Sequence, residues 1–203
     1  MAHDFWLLSR AAGLEAYVLL FAATLAGIAT STRLAARLRR AHLAFEVHRT
    51  LVWMALAATA LHVAALAGNR YAALTPAQLV VPFIAPSRPV AAPLGILSLY
   101  ALLVLASSFY VRRRIGTRTW RALHYTTFAM FVGVSAHALV AGPDAGNIVV
   151  RGLYAGALAA VALGAAYRLF APPLPPRARA PERGRGPAPV SFSADEAERR
   201  RAA

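Results

Sequence analysis

The chain has 203 residues, 59% of them hydrophobic and 15% charged, with a mean hydropathy of +0.52, a balance that belongs to membrane proteins and excludes an ordinary soluble domain. It contains no cysteine and only eight acidic residues, which excludes disulfides, thiolate metal sites and iron–sulfur clusters and leaves histidine as the main metal ligand. The formal net charge is +14, and all 22 basic residues are arginine.

Five apolar stretches are long enough to cross a hydrocarbon core, which needs about 20 helical residues. They run over residues 14–30, 47–68, 93–111, 121–140 and 148–170. The first does not read as a signal peptide: residues 1–9 carry no basic start, and the basic run follows the apolar segment instead of preceding it. It is expected to remain as the first helix. The fold class is therefore all-α, an integral membrane bundle of five helices. The connection 69–92 is the longest between spans, and its apolar piece 79–85 is too short to cross; it is expected to lie in the interface or to cap a site. From residue 172 to residue 203 the chain is basic and rich in proline, with too little apolar content for a core, so a bundle domain (1–171) followed by a disordered tail (172–203) is expected.

The arginines orient the bundle. Arg33, Arg37, Arg39, Arg40 and Arg49 flank the first connection, Arg112, Arg113, Arg114, Arg118 and Arg121 flank the third, and eight more run from Arg168 through the tail. Only Arg10, Arg70, Arg88 and Arg151 fall at the opposite end, a split of 18 to 4. The N-terminus is expected outside and the C-terminus in the cytoplasm of a bacterial inner membrane. The charge is thus a topology signal, with attraction to anionic lipid as a secondary effect. No nucleic-acid partner is expected, because no aromatic residues interleave with the arginines.

Ionisable side chains at membrane depth are costly, so those present call for a function. His48 and His62 lie 14 residues apart on the second span, His124 and His137 13 apart on the fourth. Both spans run in the same direction, so depth pairs His48 with His124 and His62 with His137. At 1.5 Å per residue the pairs stand roughly 20 Å apart, a separation suited to two stacked macrocycles. Azimuth is less regular: 14 residues return to within about 40° of the starting face, whereas 13 miss by about 140°. The fourth span then needs a bulge, a bend near Gly133, or two offset cofactors. Neutral imidazole is a good iron ligand, and two fill both axial positions of a haem, leaving a centre suited to passing single electrons. Small residues such as Ala55, Ala58 and Ala65, or Ala129, Gly133 and Ser135, would admit a flat ring between helices or simply allow close packing. The plainer alternative for the histidines is interhelical hydrogen bonding, and zinc would need a third ligand at each depth. His3 and His42 are expected at the membrane surfaces.

Two stretches carry a family resemblance. Arg113 to Tyr125 reads Arg-Arg-Ile-Gly-Thr-Arg-Thr-Trp-Arg-Ala-Leu-His-Tyr, followed by His137; Glu46 to Leu51 reads Glu-Val-His-Arg-Thr-Leu, followed by Leu61-His62. With these spacings the chain resembles the ferric reductase-like transmembrane domain, the superfamily of NADPH oxidases, ferric reductases and the haem subunit of the periplasmic methionine sulfoxide reductase system. The resemblance implies two b-type haems, the inner held by His48 and His124 and the outer by His62 and His137. It also implies transmembrane electron transfer from a cytoplasmic flavin/NAD(P)H-dependent donor, a flavin reductase, to an extracytoplasmic acceptor such as ferric iron or a redox partner. No glycine-rich dinucleotide fingerprint occurs in these residues, so the chain is expected to be the cytochrome b, electron-transfer part of a membrane oxidoreductase.

Haem propionates need cationic partners. Arg49 and Arg121, each within three residues of a ligand, are the candidates at the inner haem, with Arg33 behind them; Arg70, Arg88 and Arg151 are placed for the outer one. For most of these, anchoring at the membrane surface is the simpler role. Trp53, Phe128, Met130 and Phe131 fall between the two depths, and Trp120 and Tyr125 suit an interfacial belt. Three alternatives follow: a single haem with a flavin near the cytoplasmic face, a haem-free transport or assembly protein, and a haem-dependent sensor.

Overall fold

The computed structural model describes residues 2–31, 41–69 and 74–170. The expected tail lies outside the described residues, as do Arg33, Arg37, Arg39, Arg40 and Arg70. All regular structure among the described residues is helical: α1 (Ala2–Ser31), α2 (Ala41–Gly68), a short α3 (Pro76–Val80), α4 (Ala91–Ile115), α5 (Thr117–Ala141), a 3₁₀ turn (Pro143–Gly146) and α6 (Ile148–Phe170). Five of these, all but α3 and the turn, are long and apolar enough to cross a membrane. Helices suit that setting because each satisfies its own backbone polar groups where no water can.

The helices overrun the expected spans, most of all at the first, where α1 starts at Ala2 and not near residue 14. Hydropathy marks the hydrocarbon core alone, whereas a 30-residue helix of about 45 Å also reaches through the headgroup layers. The twelve added residues include Ser9, Arg10 and Gly13, all of which face the interior described below. Pro93 sits in the first turn of α4, where the missing N–H costs nothing. A single residue, Gly116 at φ 83°, separates α4 from α5, and only glycine adopts that backbone without strain.

Side-chain contacts define the topology. α1 and α2 form an antiparallel hairpin, with His62 on Ser9 and His48 on Ala23. α4 and α5 form a second, with His137 on Ala91. α2 and α5 are parallel, since His48 meets His124 and His62 meets His137. α6 runs alongside α1, with Tyr154 edge-on to Tyr17 and Ile28 against Gly164. α5 is an unbroken α-helix, so Gly133 marks no bulge; a Cβ there would stand 2.7 Å from Ser98 Oγ, which makes it a point of close approach to α4.

A packed layer fills the bundle between the two histidine depths. Tyr17, Phe131, Tyr154, Ala157 and Val161 form one cluster, and Leu20, Ala55, Leu102, Leu105 and Met130 the other. Ser135 donates its hydroxyl proton to the Phe131 carbonyl, so Tyr17 is the donor in its 3.1 Å bond to Ser135. Phe131 and Met130 belong to this layer, whereas Trp53 is 54% exposed and faces outward. Large apolar side chains such as Leu163, Leu169 and Phe170 also face outward, as a lipid-facing surface requires.

Ala55 has no exposed surface. Ala55→Leu should overpack the layer and destabilise the bundle by about 1–3 kcal/mol, read as a lower midpoint in thermal unfolding of the detergent-solubilised protein; an unchanged midpoint would show that the layer is loosely packed.

Candidate cofactor sites

A neutral imidazole in an apolar setting needs an acceptor for its N–H, and a carbonyl can only accept. The Nδ1 of His62 lies 2.7 Å from the Ser9 carbonyl, that of His48 2.7 Å from the Ala23 carbonyl, and that of His137 2.8 Å from the Ala91 carbonyl. In each of the three, Nδ1 therefore carries the proton and the lone pair rests on Nε2, the arrangement a metal-binding histidine uses. His124 differs. Its Nδ1 is buried without a partner, as is Trp120 Nε1, and the two rings stack at 5.1 Å with 24° between planes.

The four rings form two stations. His48 and His124 have ring centroids 6.3 Å apart with planes at 79°; His62 and His137 are 6.4 Å apart with planes at 83°. Two imidazoles bound across one iron would put their centroids roughly 6.3 Å apart, from two metal–nitrogen bonds of about 2.0 Å and about 1.15 Å from each nitrogen to its ring centre. Both pairs match that span. Packed helices lie about 8–10 Å apart, yet no Cα of α2 comes within 8 Å of a Cα of α5 among the described residues. The rings face each other across a gap, which is what a macrocycle between helices requires. No third histidine or acidic side chain joins either pair among the described residues, so the donor set suits a ring-bound metal and not a tetrahedral ion.

The stations differ in the room around them. The His62–His137 pair borders a cavity of about 790 Å³, within the range of cofactor sites. Ser9, Gly13, Tyr17, Gly95, Ser98 and Leu102 line it, Gln78 and Leu79 of α3 close one side, and Arg10, Arg88 and Asp144 stand at its polar end. The α3 segment is thus a cap, held by a Thr75–Gln78 capping box and by Tyr100 donating to the Val80 carbonyl. Beside His48 and His124 the free space is about 20 Å³, bordered by Thr24, Gly27, Ile28, Thr127, Phe128 and Arg168. The ligand spacing there fits haem, and room for the ring requires side chains such as Ile28 and Phe128 to turn aside. Both spaces reach α6, the larger through Val150 and Tyr154 and the smaller through Arg168, and His137 also leans on α4. α5 is a continuous α-helix through both of its histidines, so the pairing needs no bulge.

Of the arginines expected near the sites, Arg49 pairs with Glu46 one turn earlier on its own helix at 2.6 Å. Arg121 donates to the Thr117 carbonyl at 3.4 Å, and neither borders the free space beside a pair. Arg151 is exposed on α6. Arg88 does border the larger cavity. Arg168 stands beside His124, its guanidinium 4.6 Å from the Tyr125 ring; it was legible only as one basic residue among the eight that begin the tail. Arg10 pairs with Asp144 and lies 4.2 Å over Trp6. His3 stacks on Trp6, and His42 is exposed.

Five apolar spans define a multi-pass membrane protein, and two half-buried imidazole pairs sit at two levels within it. The sequence matches the family described as ferric reductase like transmembrane component over residues 12–135, and the chain belongs to that family. The match contains His48, His62 and His124 and stops two residues short of His137. No curated protein and no solved structure matches the chain. Membership points to transmembrane electron transfer as the general activity.

The unequal spaces set an order of filling. When hemin is titrated into haem-depleted protein, the first equivalent should go to His62 and His137, so His62→Ala should abolish the tighter Soret transition and His48→Ala the weaker one. The reverse assignment would show that the open space does not govern affinity.

Proposed function

We propose that the chain carries electrons singly across the membrane through two bis-histidine b-type haems, from a cytoplasmic flavin/NAD(P)H-dependent donor to an extracytoplasmic acceptor, ferric iron or a redox partner protein. The observation that supports this most is the pair of matched imidazole stations, 6.3 and 6.4 Å between ring centres, on two parallel helices that otherwise stay apart. Haem would supply a one-electron ferric/ferrous couple at each station. His48 and His124 would be the axial ligands of the inner group, and His62 and His137 those of the outer.

The rest of the chain positions and insulates. The layer around Tyr17, Phe131 and Met130 keeps water out of the space between stations. Arg168 is suited to hold an acidic side arm at the inner station, and Arg88 and Arg10 at the outer one. The arginine-rich end, with Arg112, Arg113, Arg114, Arg118 and Arg121, faces the cytoplasm by the positive-inside rule. As the chain contains no cysteine, Ser193→Cys provides a single thiol; a membrane-impermeant maleimide should label it in inside-out vesicles and not in intact cells. Labelling from outside would reverse the proposed direction.

The narrow inner space of about 20 Å³ favours one alternative, a single haem at the outer station with a flavin near the cytoplasmic face. Haem quantitation separates the two. The proposal expects two haems per chain in the pyridine haemochrome assay. His48→Ala and His124→Ala should each remove one and the same haem, and His62→Ala and His137→Ala the other. One haem per chain supports the alternative, losses that cross the pairs refute the ligand assignment, and purified protein without a Soret band after expression with ample haem refutes the function.

A further inference from the structure

Three of the four histidine rings rest on a glycine, and in all three that glycine lies four residues after the carbonyl that the ring binds. His62 donates to Ser9 and lies against Gly13; His48 donates to Ala23 and lies against Gly27; His137 donates to Ala91 and lies against Gly95. The geometry has a simple cause. A helical carbonyl accepts one bond from the N–H four residues on, and its second lone pair faces the side chain of that same residue. Only a residue without a Cβ leaves room for a ring to reach it. An ideal Cβ at Gly95 would stand 2.7 Å from His137 Cε1, one at Gly13 2.9 Å from His62 Nδ1, and one at Gly27 3.2 Å from His48 Nδ1.

The register explains the spacing. α1 and α2 are antiparallel, so Gly13 and Gly27, 14 residues apart, face His62 and His48, also 14 apart. On α4, Gly95 faces His137, and the position 13 residues further along, at the depth of His124, is Ser108. Ser108 is buried and spends its hydroxyl on the Leu105 carbonyl of its own helix. No glycine stands at that depth on α4, and His124, whose Nδ1 has no acceptor among the described residues, stacks on Trp120 instead.

We propose that Gly13, Gly27 and Gly95 are positioning residues that seat His62, His48 and His137 on helical carbonyls, and that Trp120 seats His124 by stacking. The seats act through the histidines on whatever the two stations bind, and their effect on haem rests on the two-haem function proposed above. A carbonyl-bonded imidazole is the stronger donor to a metal, so the inner station has one strengthened ligand and the outer station two.

The test combines two readouts. In haem-depleted protein, ¹⁵N-histidine solid-state NMR should report the Nδ1–H tautomer for His48, His62 and His137, and Gly95→Ala should move the His137 signals alone. This holds whether or not the wild type carries two haems, so it separates failure of the seats from failure of the proposed function. In haem-loaded protein, Gly95→Ala and Gly13→Ala should lower the content from two haems per chain to one by loss of the outer haem. Gly27→Ala, with the mildest clash, should retain the inner haem with an altered low-spin ferric EPR signal and midpoint potential. Gly156→Ala, whose new Cβ would meet nothing within 4 Å, should leave both haems unchanged. Trp120→Phe should preserve the inner-haem signal and Trp120→Leu should shift it, with the outer signal constant in both; these variants add no volume and remain informative if an alanine variant does not accumulate. Nε2–H tautomers in the wild type, or unaltered haem content, EPR signals and potentials in Gly95→Ala and Trp120→Leu, would overturn the proposal.

Discussion

A histidine in a bilayer has one proton and two nitrogens, and where that proton goes decides what the residue can do. An unpaired N–H in hydrocarbon costs several kcal/mol, and a proton on the wrong nitrogen removes the lone pair a metal needs. Three of the four histidines place it on a helical carbonyl through Nδ1. Much of the interior follows from that bond. It brings α1 against α2 and α4 against α5 closely enough to need glycines, and it turns the rings into the space between the hairpins. Between α2 and α5 the rings meet although no Cα of one helix comes within 8 Å of the other among the described residues. The histidine-bearing helices α2 and α5 are therefore supported mainly by their own hairpin partners.

The two stations share a ligand span and differ in almost everything else. One borders a roomy cavity capped by α3 and bounded by an Arg10–Asp144 ion pair. The other is tight, has Arg168 at its edge and contains His124, whose buried Nδ1 has no acceptor among the described residues. The His48–His124 station thus has one carbonyl-bonded imidazole and the His62–His137 station two, while each has an arginine at its edge. The asymmetry comes from particular residues, Gln78 and Leu79 of the cap at the larger space and Ile28, Phe128 and Arg168 at the smaller.

The helical architecture and the histidine pairing were legible because both rest on strong local signals. Apolar runs of spanning length reveal the five helices, and matched spacing on two parallel spans reveals which histidines share a depth. The role of α1 was not legible. Its functional groups are the carbonyls of Ser9 and Ala23, and every residue has a carbonyl, so no letter in the sequence marks them. The spacing of Gly13 and Gly27, equal to that of His48 and His62, was the available clue, and it gains meaning only once the two helices are known to be antiparallel. Arg49 and Arg121 were favoured by closeness in sequence, but neighbours on a helix point in different directions, and both turn to partners on their own helix. Arg168 reaches His124 from another helix, a kind of proximity that counting along the chain does not see.

The single-residue corner at Gly116 bears on how the protein is made. With no slack between α4 and α5, that hairpin enters the membrane as one unit, its arginine-flanked bend held at one surface while both arms thread across. The first hairpin has its own internal contacts through the histidine–carbonyl bonds, so each half can be complete before the halves meet. The halves meet directly where Tyr17 lies against Phe131 and bonds Ser135, and α6 packs on both α1 and α5. A longer corner at Gly116 would therefore loosen one half of the bundle and leave the seam between the halves to Tyr17 and Phe131.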